Sequence, residues 1–418
     1  MNINRRNFLK GTAAGAAGTA LTGGVLIGGA HADANAATTT SGPVTEASYP
    51  FHGARQSGVL TPGPAEKQAF TCVASFDAMA SSKAELADLM QTLTTRARFL
   101  TTGGTPANLG VSQPPSDSDV LGPVVPADGL TATLSVGSTL FDDRYGLASR
   151  KPAHLVPMPS FPDDNLDQAQ CGGDLILQLS AGSSDTVVHA LRDIAKSTRG
   201  GMQANWRMDG FCSPARPSGT VPRNLMGFMD GIANPSVTSR KTMDSLVWVA
   251  PGAAREPAWT ANGSYFVVRL IRMFVEFWDR VDVGEQETMI GRRRPSGFPL
   301  DGNSIFATPD YANDPTGDVV PLTAHIRLAN PRTPQTSPSQ ILRRGYNYDR
   351  GLDQVGDLDM GLIFTCFQQD IKRQFAAVQT RLIGEPLVDY ISPFGGGYFL
   401  ALPGVAGPSD FYARALLA

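Results

Sequence analysis

The chain has 418 residues, of which 42% are hydrophobic and 17% are charged, a balance typical of a globular protein rather than a disordered one. Its formal net charge of −3 argues against nucleic acid as the main partner, because nucleic-acid-binding domains usually present a basic face. Its length predicts two to three domains, and its four cysteines exclude a disulfide scaffold.

The N-terminus has the layout of an export signal. Residues 4–10 contain adjacent arginines followed by Phe-Leu-Lys, and a weakly apolar Gly/Ala-rich run follows over 11–29. These features indicate a twin-arginine signal peptide over 1–36, with small-residue cleavage sites near its end. The alternative is a membrane anchor, for which the run is poorly hydrophobic. We predict the twin-arginine export machinery as a partner and a periplasmic or extracellular location.

Strand and helix signals alternate through the first half of the mature chain. Residues 37–65 are rich in Thr, Ser, Pro and Gly and predict a flexible lead-in. Apolar periodicity then predicts strands and helices. The predicted strands are 68–76, 130–137, 174–179 and 203–210, and the predicted helices are 83–99 and a Ser-capped segment ending at 196.

The second half repeats this order of elements without repeating the sequence. The predicted strands are 264–274, 325–328, 360–367 and 397–402, and the predicted helices are 283–291 and 370–382. This alternation predicts an α+β fold of two halves with antiparallel sheets. The predicted domains are 66–215 and 220–418, with the boundary inside 214–223.

Several common catalytic motifs are missing. The sequence contains no nucleophile elbow, no phosphate-binding P-loop, no H-E-x-x-H and no dinucleotide-binding G-x-G-x-x-G after a strand. Their absence weakens the hydrolase, NTPase and nicotinamide-enzyme hypotheses.

Four local segments carry residues suited to chemistry. They are 227–235, with Asp230 and Asn234 among glycines; 325–332, with His325 and Arg327; 341–348, with the pair Arg343-Arg344; and the Gly-rich 395–404. Taken singly, each has an ordinary structural explanation: an Asp-Gly turn, a core or surface histidine, a solvated strand end and a close-packing site. If 325–328 is a strand, His325 and Arg327 share one face of it.

Together and in this order, the four segments resemble the dye-decolourising (DyP-type) haem peroxidase family. The resemblance covers roughly residues 60–415 and is closest to the exported subgroup that includes deferrochelatase/peroxidases. Further matching stretches are 289–300 and 361–368. The resemblance implies two ferredoxin-like halves of the dimeric α+β barrel type, with one haem b per chain bound mainly by the C-terminal half.

The resemblance also implies roles for individual residues. His325 would be the proximal ligand of the haem iron, Asp230 the distal acid–base residue and Arg343 the distal arginine, with Asn234 beside them in the distal pocket. Two alternatives stay open. Arg344 adjoins Arg343, and a one-residue slip in a strand reverses the face of the side chain. A ligating histidine also needs a hydrogen-bond acceptor for its second nitrogen, for which Asp389 is the candidate.

The function implied is a peroxidase that reduces hydrogen peroxide and oxidises dyes, phenols or similar small organic donors. The alternative is a haem-binding, iron-acquisition protein with little peroxidase turnover. Arg327 is a candidate for a haem-propionate or outer-shell contact. Tyr346 and Tyr348 are candidates for a radical relay to the surface, although they could equally be core aromatics. No nucleic-acid partner is predicted, and a homo-oligomer is left open.

Overall fold

The computed structural model describes residues 47–418. The predicted signal peptide and the first part of the predicted lead-in, 37–46, lie outside the described residues. Within the described chain, no helix combines the length and apolar character needed to cross a membrane. The elements of the first half are β1 (Phe70–Ala78), α1 (Lys83–Thr102), β2 (Thr131–Gly137), β3 (Leu175–Ala181), α2 (Ser184–Ser197) and β4 (Met202–Phe211).

The second half contains more helices than the first, and most of them are short. Its elements are α3 (Arg240–Leu246), β5 (Ser264–Met273), α4 (Val275–Trp278), α5 (Val283–Ile290), α6 (His325–Ala329), β6 (Leu342–Arg343), β7 (Tyr346–Leu352), β8 (Leu358–Gln368), α7 (Ala377–Leu382), β9 (Ile391–Ala401) and α8 (Arg414–Leu417). The sequence did not predict α3, α4, α8, β6 or β7 as separate elements.

The two long helices of the first half begin at capping residues that are visible in the sequence. The Ser82 hydroxyl accepts the N–H of Glu85, and the Glu85 carboxylate accepts the N–H of Ser81 in return. The Ser183 hydroxyl caps α2 by accepting the N–H of Thr186. Such caps satisfy N–H groups that have no partner inside the helix, so they fix where each helix starts.

The strands form one antiparallel barrel built from two equivalent halves. The order is β4-β1-β3-β2 in the first half and β7-β8-β5-β9 in the second, so each half has the same ferredoxin-like arrangement. The pairs β4–β7 and β2–β9 join the halves and close the barrel, and β6 lies outside it, paired with β8. The predicted fold class, a dimeric α+β barrel of two ferredoxin-like halves, is confirmed.

The side chains of β5 and β8 point alternately into the barrel interior and to its outside. Phe266, Val268 and Ile363 lie in an interior cluster that includes residues of both halves, such as Val73 and Phe399. Because neighbouring side chains on a strand point to opposite faces, the residues between them point outward. The candidate site lies on this outer face of the C-terminal strands.

The prediction of a strand over 325–328 is wrong, because His325 begins the short helix α6. The N–H groups of Arg327 and Leu328 both bond to the carbonyl of Ala324, which closes a helical turn. Five residues are too few for apolar alternation to distinguish a strand from one turn of helix. The predicted helix 370–382 begins with a π-helical turn over Lys372–Ala376.

The described part of the predicted lead-in packs against the barrel. Gln56 and Val59 are buried. The Gln56 side-chain amide bonds to the carbonyls of Leu134 and Leu402, so it ties this segment to the strands at the junction of the two halves. The domain boundaries at 66–215 and 220–418 stay a prediction.

Candidate active site

A cavity with about 1680 Å³ of atom-free space, part of it open to solvent, lies between the outer face of the C-terminal strands and α6–α7. Its walls are largely apolar, with Met226, Phe228, Met273, Ile290, Phe364 and Phe375 among them. Asp230, His325 and Arg343 also line it, so the fold brings three of the residues singled out in the sequence to one cavity.

His325 is held by a carboxylate. Its Nδ1 lies 2.8 Å and 3.0 Å from the two carboxylate oxygens of Glu385, and the Glu385 side chain is only 4% exposed. Burial opposes a charge on the imidazole, but Glu385 outweighs it and raises the pKa of His325. This contact fixes the orientation of the ring. No described residue bonds to Nε2, so this nitrogen is available to a ligand in the cavity.

Two predictions for residues near His325 are corrected. Glu385, not Asp389, contacts the imidazole, because it lies just before the turn Pro386–Tyr390 that leads into β9. Arg327 does not line the cavity; it bonds to the carboxylate of Asp314 at 3.0 Å and to the carbonyl of Val320. Residues two apart on a helix point in widely different directions, so the helical turn separates Arg327 from His325.

Asp230 and Arg343 form an ion pair inside the cavity, with Arg343 Nη1 3.0 Å from Asp230 Oδ1. Burial by itself would raise the pKa of Asp230. The charges of Arg343 and Lys67 and the N–H of Gly231 outweigh burial and lower the pKa. Asp230 is therefore a carboxylate at neutral pH, placed where it can accept a proton.

Asn234 does not line the cavity, and its prediction as a distal-pocket residue is corrected. Its side-chain amide pairs with the backbone of Arg343 instead: Oδ1 accepts the Arg343 N–H at 2.9 Å and Nδ2 donates to the Arg343 carbonyl at 2.9 Å. β6 pairs only with β8, so the other edge of Arg343 would lack partners. Asn234 occupies that edge like a neighbouring strand.

The register of the two arginines is settled by the structure. The Arg343 side chain enters the cavity, whereas Arg344 is 1% exposed and donates to the carbonyl of Pro62 at 2.6 Å. The N–H of Arg344 bonds to the carbonyl of Thr365. Neighbouring residues on an extended segment face opposite sides, so only one of the two can reach Asp230.

Tyr346 and Tyr348 do not line the cavity. Both are buried, and both belong to the interior cluster of the barrel. They lie on β7, next to β8, whose outward residues Leu362 and Phe364 form part of the cavity wall. Their predicted role as a radical relay stays a prediction.

The N-terminal half reaches the cavity wall through a buried ion pair that the sequence did not reveal. Arg269 lies on the outer face of β5 and lines the cavity. Its guanidinium pairs with Asp164, a residue of the loop between β2 and β3, and both side chains are 1% exposed. No local motif marks two charged residues more than 100 positions apart, so only the tertiary structure reveals this contact.

The residues fit the haem that the resemblance implies. His325 lines the cavity with its Nε2 unbonded by any described residue, so this nitrogen could bind iron, and Nδ1 is held by a carboxylate, as in most ligating histidines. The broad apolar walls suit a flat macrocycle, and Arg292 and Arg332 on the lining offer positive charge to acidic substituents. Asp230 and Arg343 provide polar groups at the same cavity.

Comparison with known proteins agrees with this fold. Residues 56–212 match the family described as Dyp-type peroxidase, N-terminal, residues 221–406 match Dyp-type peroxidase, C-terminal, and residues 2–22 match the twin-arginine translocation signal sequence. The chain is therefore exported by the twin-arginine pathway.

The chain is also similar to individual proteins over most of its length. A deferrochelatase from Escherichia coli O6:K15:H31 (strain 536 / UPEC) is 47% identical over 99% of this chain and 97% of its own. The structure of DtpA from Streptomyces lividans, described as an X-ray generated oxyferrous complex, is 34% identical with a TM-score of 0.79, covering 89% of this chain and 98% of its own. A DyP-type peroxidase from Cellulomonas bogoriensis is 33% identical with a TM-score of 0.78 over the same shares. The chain belongs to the DyP-type peroxidase family.

Proposed function

We propose that this protein is a haem b peroxidase, with one haem per chain, that reduces hydrogen peroxide and oxidises dyes, phenols or similar small organic donors. The observation that carries the proposal is one cavity lined by a carboxylate-held histidine and by an Asp230–Arg343 ion pair. Haem iron bound there would supply the site where peroxide binds and the electrons that reduce it.

His325 would hold the iron through Nε2, because Nδ1 is engaged by Glu385. The carboxylate keeps the ring in one orientation and makes the free nitrogen a stronger donor. Arg292 and Arg332 would offer positive charge to the propionates at the cavity lining.

Asp230 would act as the acid–base group. Its lowered pKa keeps it charged, so it can take a proton from bound peroxide and return it to the oxygen that leaves as water. Arg343 holds this carboxylate in place and offers positive charge to the oxygen that becomes negative as the O–O bond breaks. Because its pKa is lowered, Asp230 stays charged and able to act as a base into the acid range, so we expect an acidic activity optimum; an optimum above pH 8 contradicts the assignment.

The second candidate function is haem handling with little turnover, favoured by the 47% identity to a protein named deferrochelatase. The two candidates are separated by the absorption spectrum of the purified protein before and after hydrogen peroxide. We expect a Soret band that peroxide changes rapidly, and its loss in His325→Ala. If Asp230→Ala and Arg343→Ala react with peroxide at the wild-type rate, the peroxidase mechanism proposed here is wrong.

A further inference from the structure

Lys67 lies behind the Asp230–Arg343 pair and is contributed by the N-terminal half. It directly follows a short turn over Pro64–Glu66 and lies three residues before the start of β1. Its ammonium group donates to the carbonyl of Gly345 and lies 4.7 Å from the centre of the Tyr346 ring. Lys67 does not line the cavity, so it does not contact a ligand there directly.

The segment that carries Lys67 makes several contacts to the residues that directly follow Arg343. Arg344 donates to the carbonyls of Val59 at 3.5 Å and Pro62 at 2.6 Å, and Lys67 bonds to the next residue, Gly345. Residues 59–67 therefore hold the short connection between β6 and β7 from the side opposite the cavity.

Gly345 joins this connection to the distal carboxylate. A Cβ added to Gly345 would lie 3.4 Å from Asp230 Oδ2, so the backbone that Lys67 bonds to lies beside the carboxylate, about one methyl group away. Asp230 has Arg343 on one side at 3.0 Å and the Gly345 backbone on another. A shift of Gly345 would change the space next to the Asp230 carboxylate.

Four charged or titratable groups act on Asp230: Arg343 from β6, Lys67 from the segment before β1, His325 from α6 and Cys212 after β4. Two of them, Arg343 and Lys67, are basic side chains whose positive charges lower the pKa of Asp230. Burial lowers the pKa of Lys67 and the nearby arginines lower it further, while Asp230 counteracts this. The attraction between Lys67 and Asp230 is therefore mutual.

We propose that Lys67 is a positioning residue for the distal carboxylate: it fixes Gly345 against Asp230 and supplies the second positive charge that keeps Asp230 in its charged form. The inference rests on the proposed role of Asp230 as the acid–base group. Its consequence is that the acid limit of the peroxide reaction is set by both halves of the chain rather than by the haem-binding half alone.

The test compares Lys67→Met, Lys67→Gln and Lys67→Arg in the haem-loaded protein. Lys67→Gln can still donate to the Gly345 carbonyl but has no charge, and Lys67→Arg retains the charge. Lys83→Met removes a charge from an exposed lysine at the start of α1 and is the matched control. Urea unfolding of each variant checks that it is folded.

Two readouts are followed against pH. The first is the rate at which hydrogen peroxide changes the Soret band, and the second is the infrared band of the protonated Asp230 carboxyl, assigned by its loss in Asp230→Asn. Each readout changes with pH around a midpoint. We expect both midpoints to move up by about one pH unit in Lys67→Met and Lys67→Gln, since an opposite charge nearby lowers a carboxyl pKa by about that much or more. Lys67→Arg and Lys83→Met should match the wild type.

Coincident infrared midpoints in wild-type, Lys67→Met and Lys67→Gln protein would overturn the proposal, even if the variants are less stable. If Lys67→Met does not fold, the Lys67→Gln result decides by itself. If Asp230→Asn reacts with peroxide like the wild type, the proposed role of Asp230 fails, and the infrared midpoints still report whether Lys67 acts on this carboxylate.

Discussion

Asn234 provides a direct test of how the distal pair is held together. Its amide forms two hydrogen bonds of 2.9 Å with the backbone N–H and carbonyl of Arg343, and Arg343 in turn contacts Asp230. Asn234→Ala removes both bonds and leaves two backbone groups without partners. Each such bond contributes about 1 kcal/mol, so the free energy of unfolding should fall by about 2 kcal/mol.

The same substitution should slow the chemistry, because it frees the strand that aims Arg343 at Asp230. Misplacing a catalytic group by about 1 Å can cost about a hundredfold in rate, so we expect a loss of about ten- to hundredfold. The assay is stopped-flow measurement of the Soret change on mixing the haem-loaded protein with hydrogen peroxide, alongside urea unfolding.

Gln56→Ala is the control for this prediction. Gln56 is also a buried amide that bonds to backbone, with contacts of 2.8 Å to the carbonyls of Leu134 and Leu402, but it is not part of the cavity lining. The Gln56→Ala substitution should destabilise the protein without changing the rate of the Soret change with hydrogen peroxide. If Asn234→Ala is destabilised to the same extent yet reacts at the wild-type rate, the reasoning about Arg343 is refuted and Asn234 is only structural.

Three further predictions concern the other charged contacts. Glu385→Gln should weaken haem retention by about 10- to 100-fold, because it replaces the carboxylate that holds the His325 ring. The rate of haem transfer to apomyoglobin measures this, and transfer at the wild-type rate would contradict the prediction. Arg343→Met should destabilise the protein more at pH 7 than at pH 3. Arg343 lowers the pKa of Asp230, so their attraction stabilises the fold at pH values above the unfolded pKa of Asp230, about 3.9. This stabilisation is lost as the pH falls and Asp230 takes up a proton. Urea unfolding at both pH values tests this, and equal destabilisation would count against it. Asp164→Asn should lower the free energy of unfolding by about 3–5 kcal/mol, because it leaves the buried Arg269 charge without its partner. The double variant Asp164→Leu with Arg269→Met should lower it by less, since no unpaired charge stays buried. A double variant no more stable than Asp164→Asn would disprove this.

The sequence determined the family and the chemistry-bearing residues of the cavity. Asp230, His325 and Arg343 stand in short segments whose residue types and order are specific, so they could be found without coordinates. The order of strands and helices in the first half was also accessible, because caps and apolar periodicity are local properties of the chain, whereas β6 and β7 of the second half were missed. The twin-arginine signal could be recognised for the same reason.

Only the tertiary structure decided what surrounds these residues. Glu385 is 60 positions from His325, Asn234 is 109 from Arg343, and the Lys67–Gly345 bond joins residues 278 positions apart. No local pattern records such pairs, because they form where separate elements meet in space. The helical turn at His325 was likewise set by packing, and it is this turn that directs Arg327 away from the cavity and towards Asp314.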